Sequence, residues 1–324
     1  MTELTYRQAI NMALVDELDS DPSVFILGED IAAAGGVFKV TEGLLERFGP
    51  SRVRDTPISE QAIVGAALGA AVTGLRPVAE IMFADFAGVC FDQIANQLPK
   101  YRYMTGGQVT VPVTLRLANG ASGGFGAQHS QAVENWFLGV PGLKICVPGT
   151  PADAYGLLRS SIQDDNPVLF FEHKGLYQLM GEVDRSLTVP LGKADVIRVG
   201  SDATIVANQA MRKIVTAAAD ELARRGIEVE IIDPRSLAPF DFTTVAASIE
   251  KTNYLVVVEE SSGQASWGTT LVTRIATDHF ELLDGPPTLI ASDDVPVPYS
   301  EPLENAWLPS EQEIIETVER LANS

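Results

Sequence analysis

Short apolar segments alternate with longer helical patterns along most of the chain. Ser23–Leu27, Leu143–Val147 and Val168–Phe171 are apolar almost throughout, which is typical of strands buried on both faces of a parallel sheet. The stretches Tyr6–Asp19 and Ala152–Ile162 carry apolar residues at helical spacing. This alternation predicts an α/β protein built on parallel sheets.

The alternation is interrupted at the polar, irregular region Met180–Lys193, which we interpret as a linker. A second series of strands and helices follows, from the strand Thr204–Ala207 to a final helix Ser310–Ala322 with Ser310 as its N-cap. A length of 324 residues also suits about two domains. We therefore predict one domain over residues 1–185 and a second over residues 186–324.

The chain is strongly acidic, with 43 Asp and Glu against 23 Lys and Arg and a net charge of −20. Half of this surplus lies in residues 275–324, which hold eleven acidic residues and one arginine. A negative field repels phosphate backbones and anionic lipids, so we expect neither a nucleic-acid nor a membrane partner. It would attract a basic protein module, or it serves only solubility.

Other sequence features indicate a soluble protein of a reducing compartment. Cys90 and Cys146 lie in apolar surroundings, without metal-ligand or disulfide spacing. The longest apolar run, Ala62–Leu75, is too short and too rich in small residues to span a bilayer. The acidic N-terminal segment does not look like a secretory signal. We expect a cytoplasmic protein, with the mitochondrial matrix as the alternative.

A glycine-rich loop is the first candidate for chemistry. The predicted strand Val109–Leu117 leads into Asn119–Gly126, which matches neither a dinucleotide fingerprint nor a Walker motif. It can still bring backbone close to a ligand. His129 follows in a polar stretch, where it is either a catalytic proton donor or acceptor or a hydrogen-bonded loop residue.

Glu60 is the second candidate. It follows the predicted strand Arg52–Asp55 and precedes the predicted helix Gln61–Thr73, which Ser59 can cap. A buried carboxylate there could bind a protonatable ring nitrogen. The alternative is a first-turn glutamate favoured by the helix dipole. No metal-binding motif is visible, and the GDG…NN pattern that holds Mg²⁺ and diphosphate in thiamine-diphosphate enzymes is missing.

An ordered set of segments runs nearly end to end along the chain. They are LGED (27–30), DTPISEQAIVGAALGAAVTGLRPVAEIMFADF (55–86), FDQIANQ (91–97), KYRYMTGG (100–107), NGASGGFGAQHSQ (119–131), PGLKICVP (141–148), DDNPVLFFEHKGLY (164–177) and PVPYSEPLE (296–304). Together they resemble the β subunits of the E1 component of 2-oxo acid dehydrogenase complexes. The resemblance implies a thiamine-diphosphate pyrimidine-binding domain followed by a transketolase C-terminal-type α/β domain.

The resemblance also implies a reaction and partners. The chain would be the β subunit of a thiamine-diphosphate-dependent E1 that decarboxylates a 2-oxo acid, with pyruvate as the leading substrate, and passes the acyl group to the lipoyl group of E2. Acetoin and branched-chain 2-oxo acids are the alternative substrates. An α subunit, joined in an α2β2 heterotetramer, would hold the diphosphate and Mg²⁺, which accounts for the missing motif. A non-catalytic scaffold subunit and a self-sufficient transketolase-like enzyme are the competing interpretations.

Roles for individual residues follow from the same resemblance. Glu60 matches the carboxylate that binds N1′ of the cofactor's aminopyrimidine, Phe86 the aromatic that stacks on this ring, and Ile58 a nearby wall. His129 matches the histidine that assists the acyl step. A potassium ion would be held mostly by backbone carbonyls, at positions matching Val113, Ser161, Ile162, Asp164 and Asn166. The acidic C-terminal domain would bind the basic subunit-binding domain of E2.

Overall fold

The computed structural model describes residues 1–186 and 188–322. Leu187, Asn323 and Ser324, which fall in the predicted second domain, lie outside the described residues.

The chain divides into two compact units that do not follow its order strictly. The first unit is made of residues 1–119 and 136–191, and the second of residues 120–135 and 192–324. The predicted boundary after residue 185 stays a prediction. The sequence did not indicate that residues 120–135 group with the second unit.

The first unit is a parallel sheet with helices. Its strands are β1 Thr2–Thr5, β2 Val24–Gly28, β3 Val53–Asp55, β4 Arg76–Ile81, β5 Thr114–Asn119, β6 Lys144–Cys146, β7 Val168–His173 and β8 Met180–Val183. Its helices are α1 Tyr6–Ser20, α2 Leu44–Phe48, α3 Glu60–Val72, α4 Leu98–Met104 and α5 Pro151–Gln163. The order β6-β7-β5-β4-β2-β3 joins parallel neighbours throughout.

The second unit repeats the α/β plan. Its strands are β9 Asp195–Arg198, β10 Ala203–Ala207, β11 Val229–Asp233, β12 Ser236–Ala238, β13 Leu255–Ser262 and β14 Thr288–Ser292. Its helices are α6 Met211–Arg224, α7 Phe242–Thr252, α8 Trp267–Asp278, α9 Glu301–Trp307 and α10 Glu311–Ala322. One sheet has the order β14-β13-β10-β11-β9, in which β9 pairs antiparallel with β11 and the other neighbours pair parallel. The predicted fold class, α/β with parallel sheets, is confirmed.

Apolar cores account for both units. In the first, α1 and α5 pack together and bury Ile10, Leu14 and Leu158. In the second, Val256 of β13 is buried with Ile315 of α10. Complete burial of such a side chain stabilises the fold by roughly 1.5–3 kcal/mol.

Charged residues also lie within the first sheet. Arg116 of β5 is 1% exposed and forms ion pairs with Glu80 of β4 at 2.5 Å and Glu172 of β7 at 2.5 Å. The Tyr177 hydroxyl donates to Glu172 at 2.9 Å. Burial raises the pKa of Glu80, and Arg116 opposes that shift. These three strands are therefore joined by side-chain ion pairs as well as by backbone hydrogen bonds.

Several predicted elements differ from the structure in their detail. The strand expected over Val109–Leu117 begins only at Thr114, because Pro112 has no N–H to donate to a neighbouring strand. The predicted linker contains β8, which pairs antiparallel with β1. A π-helical segment, Asp92–Gln97, directly precedes α4. A run of polar residues does not by itself reveal a two-stranded pairing with a distant segment.

The two predicted capping serines differ. Ser310 accepts a hydrogen bond from the backbone N–H of Glu313 at 3.2 Å, as an N-cap should. Ser59 stands at the N-cap position of α3, but its side chain makes no capping hydrogen bond. Its backbone N–H lies near the carboxylate of Glu29 and lowers the pKa of that group, against the larger effects of burial and of the charges of Glu60 and Asp30. The start of α3 thus lies near a second acidic residue.

Candidate functional site

Glu60 is the first residue of α3 and is 8% exposed. It stands just beyond the carboxyl end of β3, where the backbone N–H of Thr56 bonds to the carbonyl of Gly28 at 2.9 Å. This is the sheet edge at which α/β proteins commonly bind ligands. Within residues 1–186 and 188–322, no group donates a hydrogen bond to the Glu60 carboxylate. Its oxygens are not among the fully buried atoms that lack a partner, so they stay accessible and can accept a hydrogen bond from a ligand.

The surroundings of Glu60 are negative and partly apolar. Burial, followed by the charges of Glu60 and Asp30, raises the pKa of Glu29. Burial and the charge of Glu60 together raise the pKa of the Cys90 thiol to about 12. Cys90 is therefore a neutral thiol near neutral pH and adds no negative charge beside Glu60. A cationic or protonatable ligand would lower the electrostatic free energy of this site.

Phe86 lies on a 3₁₀ turn, Ala84–Gly88, and is half-buried. Its ring meets that of Phe83 edge to face, with the centroids 5.7 Å apart. The Cys90 thiol donates to the Phe86 carbonyl at 3.7 Å, so Cys90 interacts with both Phe86 and Glu60. Ile58 is 84% exposed, and its side chain is free of the apolar core. Ile58 and Phe86 thus both keep apolar surface outside the core.

His129 belongs to the second unit and is half-buried. It follows three glycines with positive φ, at Gly123, Gly124 and Gly126, a conformation that other residues adopt only with strain. The His129 backbone N–H bonds to the carbonyl of Gly126 at 3.2 Å. Four residues are predicted to bind the cofactor or to act in catalysis. Glu60, Ile58 and Phe86 belong to the first unit, and His129 belongs to the second.

The structure brings four of the predicted potassium residues together at the end of α5. Ser161 and Ile162 are buried in its last turn, and Asp164 and Asn166 follow it directly. Asp164 accepts from the backbone N–H of Asn166 at 2.8 Å and forms an ion pair with Lys144. Lys144 and these hydrogen bonds hold the pKa of Asp164 below its usual value, although burial opposes them.

The carbonyl oxygens at this position already have partners. Arg76 donates to the carbonyls of Ile162 and Asp164 at 3.1 Å each. The carbonyl of Val113 accepts from the Val168 N–H at 2.9 Å. Each carbonyl keeps a second lone pair for a cation. No cluster of three or more His, Cys, Asp or Glu suited to a metal occurs in the described part of the chain.

Sequence reasoning missed several residues of these sites. Glu29 follows β2 as Glu60 follows β3, and β2 and β3 are parallel neighbours; strand adjacency would have suggested the pair. Glu260 and Glu304 bind the loop that carries His129, from 139 and 180 residues away in sequence. No local pattern signals partners at such separations.

Comparison with known proteins defines the class of this fold. Residues 2–180 match the transketolase pyrimidine-binding domain, and residues 192–314 match the transketolase C-terminal domain. A solved split-gene transketolase, described as an inactive β4 tetramer, aligns with 99% of both chains at a TM-score of 0.82 and 22% identity. The structure is therefore a two-domain transketolase-type fold.

Related sequences identify the family more closely. The chain is 45% identical to the β subunit of acetoin:2,6-dichlorophenolindophenol oxidoreductase of Bacillus subtilis, with 96% of this chain and 95% of the relative covered. It is 44% identical to a mitochondrial pyruvate dehydrogenase E1 subunit beta-2 of rice, with 98% and 86% covered. It is also 44% identical to the pyruvate dehydrogenase E1 subunit beta of Rhizobium meliloti, with 98% and 70% covered. The chain belongs to the family of E1 β subunits of pyruvate and acetoin dehydrogenases, which are oxidoreductases.

Membership of this family implies use of thiamine diphosphate and an E1 α partner subunit. The relatives come from bacteria and from plant mitochondria, so they do not fix a compartment for this chain. None of the helices within the described residues is long and apolar enough to cross a membrane.

Proposed function

We propose that this chain is the β subunit of a thiamine-diphosphate-dependent E1 that decarboxylates pyruvate and passes the acyl group to the lipoyl group of E2. The observation that carries the proposal is the Glu60 carboxylate, which is 8% exposed and receives no hydrogen bond from the described residues. The family implies a cofactor whose ring nitrogen, once protonated, can supply the missing donor.

The residues around Glu60 fit that cofactor. When bound, thiamine diphosphate supplies the carbon nucleophile for the substrate carbonyl. Glu60 would hold a proton at N1′ of the aminopyrimidine, and the low dielectric of a buried site would strengthen this interaction. Phe86 would stack on the ring, and Ile58 would cover its edge and exclude water.

His129 would act at the acyl step. Histidine side chains can donate or accept a proton around neutral pH, and the transfer to a lipoyl sulfur needs such proton movement. The glycine-rich loop before it allows close approach of backbone to substrate. The α subunit would hold the diphosphate and Mg²⁺ in the α2β2 heterotetramer, since this sequence has no GDG…NN motif.

Acetoin is the second candidate substrate. Named acetoin oxidoreductase subunits from Bacillus subtilis and Cupriavidus necator are each 45% identical to the chain, as close as the pyruvate relatives. A panel of pyruvate, acetoin and branched-chain 2-oxo acids, tested on the reconstituted heterotetramer, decides between them. We expect pyruvate to give the highest kcat/KM, and a higher value for acetoin would reassign the substrate.

The Glu60→Gln variant tests the catalytic assignment. The substitution keeps the size of the side chain but removes its negative charge, so we expect turnover of the reconstituted α2β2 enzyme to fall at least about 10²-fold. Assembly, followed by light scattering, should persist. The exposed Glu46→Gln in α2 is the matched control. Turnover of Glu60→Gln near that of Glu46→Gln would overturn the assignment.

The acidic C-terminal region would bind a basic module of E2. Glu311, Glu313 and Glu316 are exposed on α10, whereas Glu304 is 4% exposed and cannot take part. Association through exposed charges weakens with salt. We expect the affinity of E1 for E2 to fall steeply between low and high salt, and replacing all three glutamates by glutamine to flatten this dependence. An affinity that does not change with salt would contradict this interface.

A potassium ion at the end of α5 is the last part of the proposal. Backbone carbonyls of Val113, Ser161 and Ile162, with Asp164 and Asn166, would form its oxygen ligands. Arg76 and Lys144 lie at the same position and repel a cation, so we expect a modest effect. At constant ionic strength, the thermal unfolding midpoint of the heterotetramer should be higher in a potassium salt than in a sodium salt. Equal midpoints in both salts would contradict potassium binding.

A further inference from the structure

The segment of residues 120–135, which carries His129, is built into the second unit although the chain on both sides of it belongs to the first. Its sequence lies inside the stretch that matches the pyrimidine-binding domain. The position of His129 therefore depends on side chains that come much later in the sequence.

The beginning of this segment is held in three ways. The Gly120 N–H bonds to the carbonyl of Gln131 at 3.2 Å, which closes residues 120–131 into a loop. Ala121 is buried in an apolar cluster with Val297 and Trp307. The backbone N–H of Ala121 also donates to the carboxylate of Glu260, at the end of β13.

The middle of the loop rests on α9 and the stretch before it. The Gly124 N–H donates to Oε2 of Glu304 at 3.2 Å. A Cβ atom at Gly124 would lie 2.9 Å from the carbonyl oxygen of Tyr299, and its φ of +70° is strained for other residues. The loop backbone is thus pressed against the stretch that leads into α9.

The end of the segment is held by a side-chain amide. Asn135 donates through Nδ2 to the Ser261 hydroxyl at 2.6 Å. Its Oδ1 accepts from the backbone N–H of Trp267 at 2.9 Å, at the first turn of α8. Both of these partners belong to the second unit, as Glu260 and Glu304 do.

The two glutamates differ from ordinary surface acids. Glu260 is 6% and Glu304 is 4% exposed, and burial of a carboxylate is unfavourable unless it is hydrogen-bonded. Glu304 forms no ion pair with any described residue, and its Oε1 is buried without a hydrogen-bond partner among them. The hydrogen bond from the Gly124 N–H therefore stabilises the buried Glu304 carboxylate. Because this bond is charge-assisted, it also holds the loop in place.

We propose that Glu260 and Glu304 are positioning residues for His129, which fix the 120–131 loop through its backbone N–H groups. The proposal rests on the proposed function, in which His129 assists transfer of the acyl group to the lipoyl group. Neither glutamate needs to touch substrate. Loss of either should slow the step that uses His129 more than the steps before it.

The test uses the reconstituted heterotetramer with two acceptors. Reduction of 2,6-dichlorophenolindophenol reports the steps before acyl transfer, and acylation of a lipoylated E2 domain reports the transfer itself. We expect Glu304→Ala to slow lipoyl acylation about 10-fold more than dye reduction, the effect of losing one charge-assisted hydrogen bond. Glu304→Gln keeps an acceptor oxygen and should recover most of the rate. The exposed Glu250→Ala, on α7 of the second unit and outside the acidic C-terminal region, is the control and should leave both rates unchanged.

A double variant separates positioning from general damage. If Glu304 acts through His129, His129→Ala/Glu304→Ala should acylate no more slowly than His129→Ala alone. Backbone amides of residues 121–126 should exchange hydrogen faster in Glu304→Ala, while those of β10 and β13 stay protected. Glu260→Ala should behave in the same way.

Two results would overturn the proposal, and they are distinguishable. If His129→Ala slows acylation but Glu304→Ala lowers both rates equally, or adds its full effect to His129→Ala, the positioning role fails and the role of His129 stands. If His129→Ala leaves lipoyl acylation unchanged, the proposed function of His129 fails, and the positioning role fails with it.

Discussion

Buried carboxylates occur in both units, and they differ in what binds them. Glu260 and Glu304 of the second unit accept backbone N–H groups of the loop before His129. Glu60 of the first unit is buried to a similar degree, yet no described residue donates to its side chain. Glu304 keeps Oε1 buried without a hydrogen-bond partner among the described residues, whereas neither oxygen of Glu60 is buried in this way. An acid that binds the loop backbone serves the fold, and one whose oxygens stay accessible and unpaired is available to a ligand. The comparison separates positioning residues from the candidate catalytic acid without any motif.

The largest expected effect concerns acids that are fully paired. Arg116→Met would leave Glu80 and Glu172 buried without their partner, and the breaking of such a buried network costs about 3–5 kcal/mol of unfolding free energy. Denaturant unfolding of the purified protein measures the change. Arg47→Met is the control, because the Arg47–Asp19 pair is exposed and is worth about 0–1 kcal/mol. Equal losses in the two variants would break the distinction between paired and unpaired acids.

Replacement of Glu259 in the second unit is expected to stabilise the protein at high pH, by less than the Arg116 replacement destabilises it. Burial raises the pKa of Glu259 to about 8 from 4.5, and the charge of Glu134 adds to the shift. The folded protein therefore binds an extra proton between these pH values, and its stability falls as pH rises through this interval.

Glu259→Gln cannot ionise and should remove that loss. We expect it to be more stable than the wild type by on the order of 1–3 kcal/mol at pH 8.5, with the difference vanishing towards pH 4.5. Unfolding curves across pH test this, with the exposed Glu250→Gln as control. A difference in unfolding free energy that does not depend on pH would contradict the raised pKa of Glu259.

The smallest effect on stability is expected at the residue with the largest role in catalysis. Glu60→Gln removes no internal hydrogen bond and relieves repulsion with Glu29. We therefore expect the free energy of unfolding to stay within about 0.5 kcal/mol of the wild type, or to rise. A loss of about 2 kcal/mol or more in denaturant unfolding would place Glu60 among the structural acids.

Much of the fold is predictable from the sequence because short apolar runs between helical patterns have few other solutions. The helices α1 and α5 and the strands β7 and β10, for example, begin and end within two residues of their predicted bounds. β8 escaped prediction because its residues are polar and largely exposed, and its pairing with β1 joins opposite ends of the first unit's sequence. The grouping of residues 120–135 with the second unit was not predicted, because it depends on contacts with residues that are distant in sequence.

Residues of the candidate site could be predicted where their neighbours in the sequence are enough to mark them. Glu60 stands out because a carboxylate begins a helix directly after a strand, and His129 because it follows a run of glycines. The positions of Ile58 and Phe86 came from family resemblance, and their roles stay predictions. Glu260 and Glu304 could not be found in this way, since Glu304 looked like one more member of an acidic C-terminal region.

The central claim is that Glu60 activates the cofactor through N1′. The most direct measurement is the rate at which the C2 proton of bound thiamine diphosphate exchanges with deuterium in the reconstituted heterotetramer. We predict that Glu60→Gln slows this exchange at least about 10²-fold, with the cofactor still bound. Exchange in Glu60→Gln at the wild-type rate would contradict the claim.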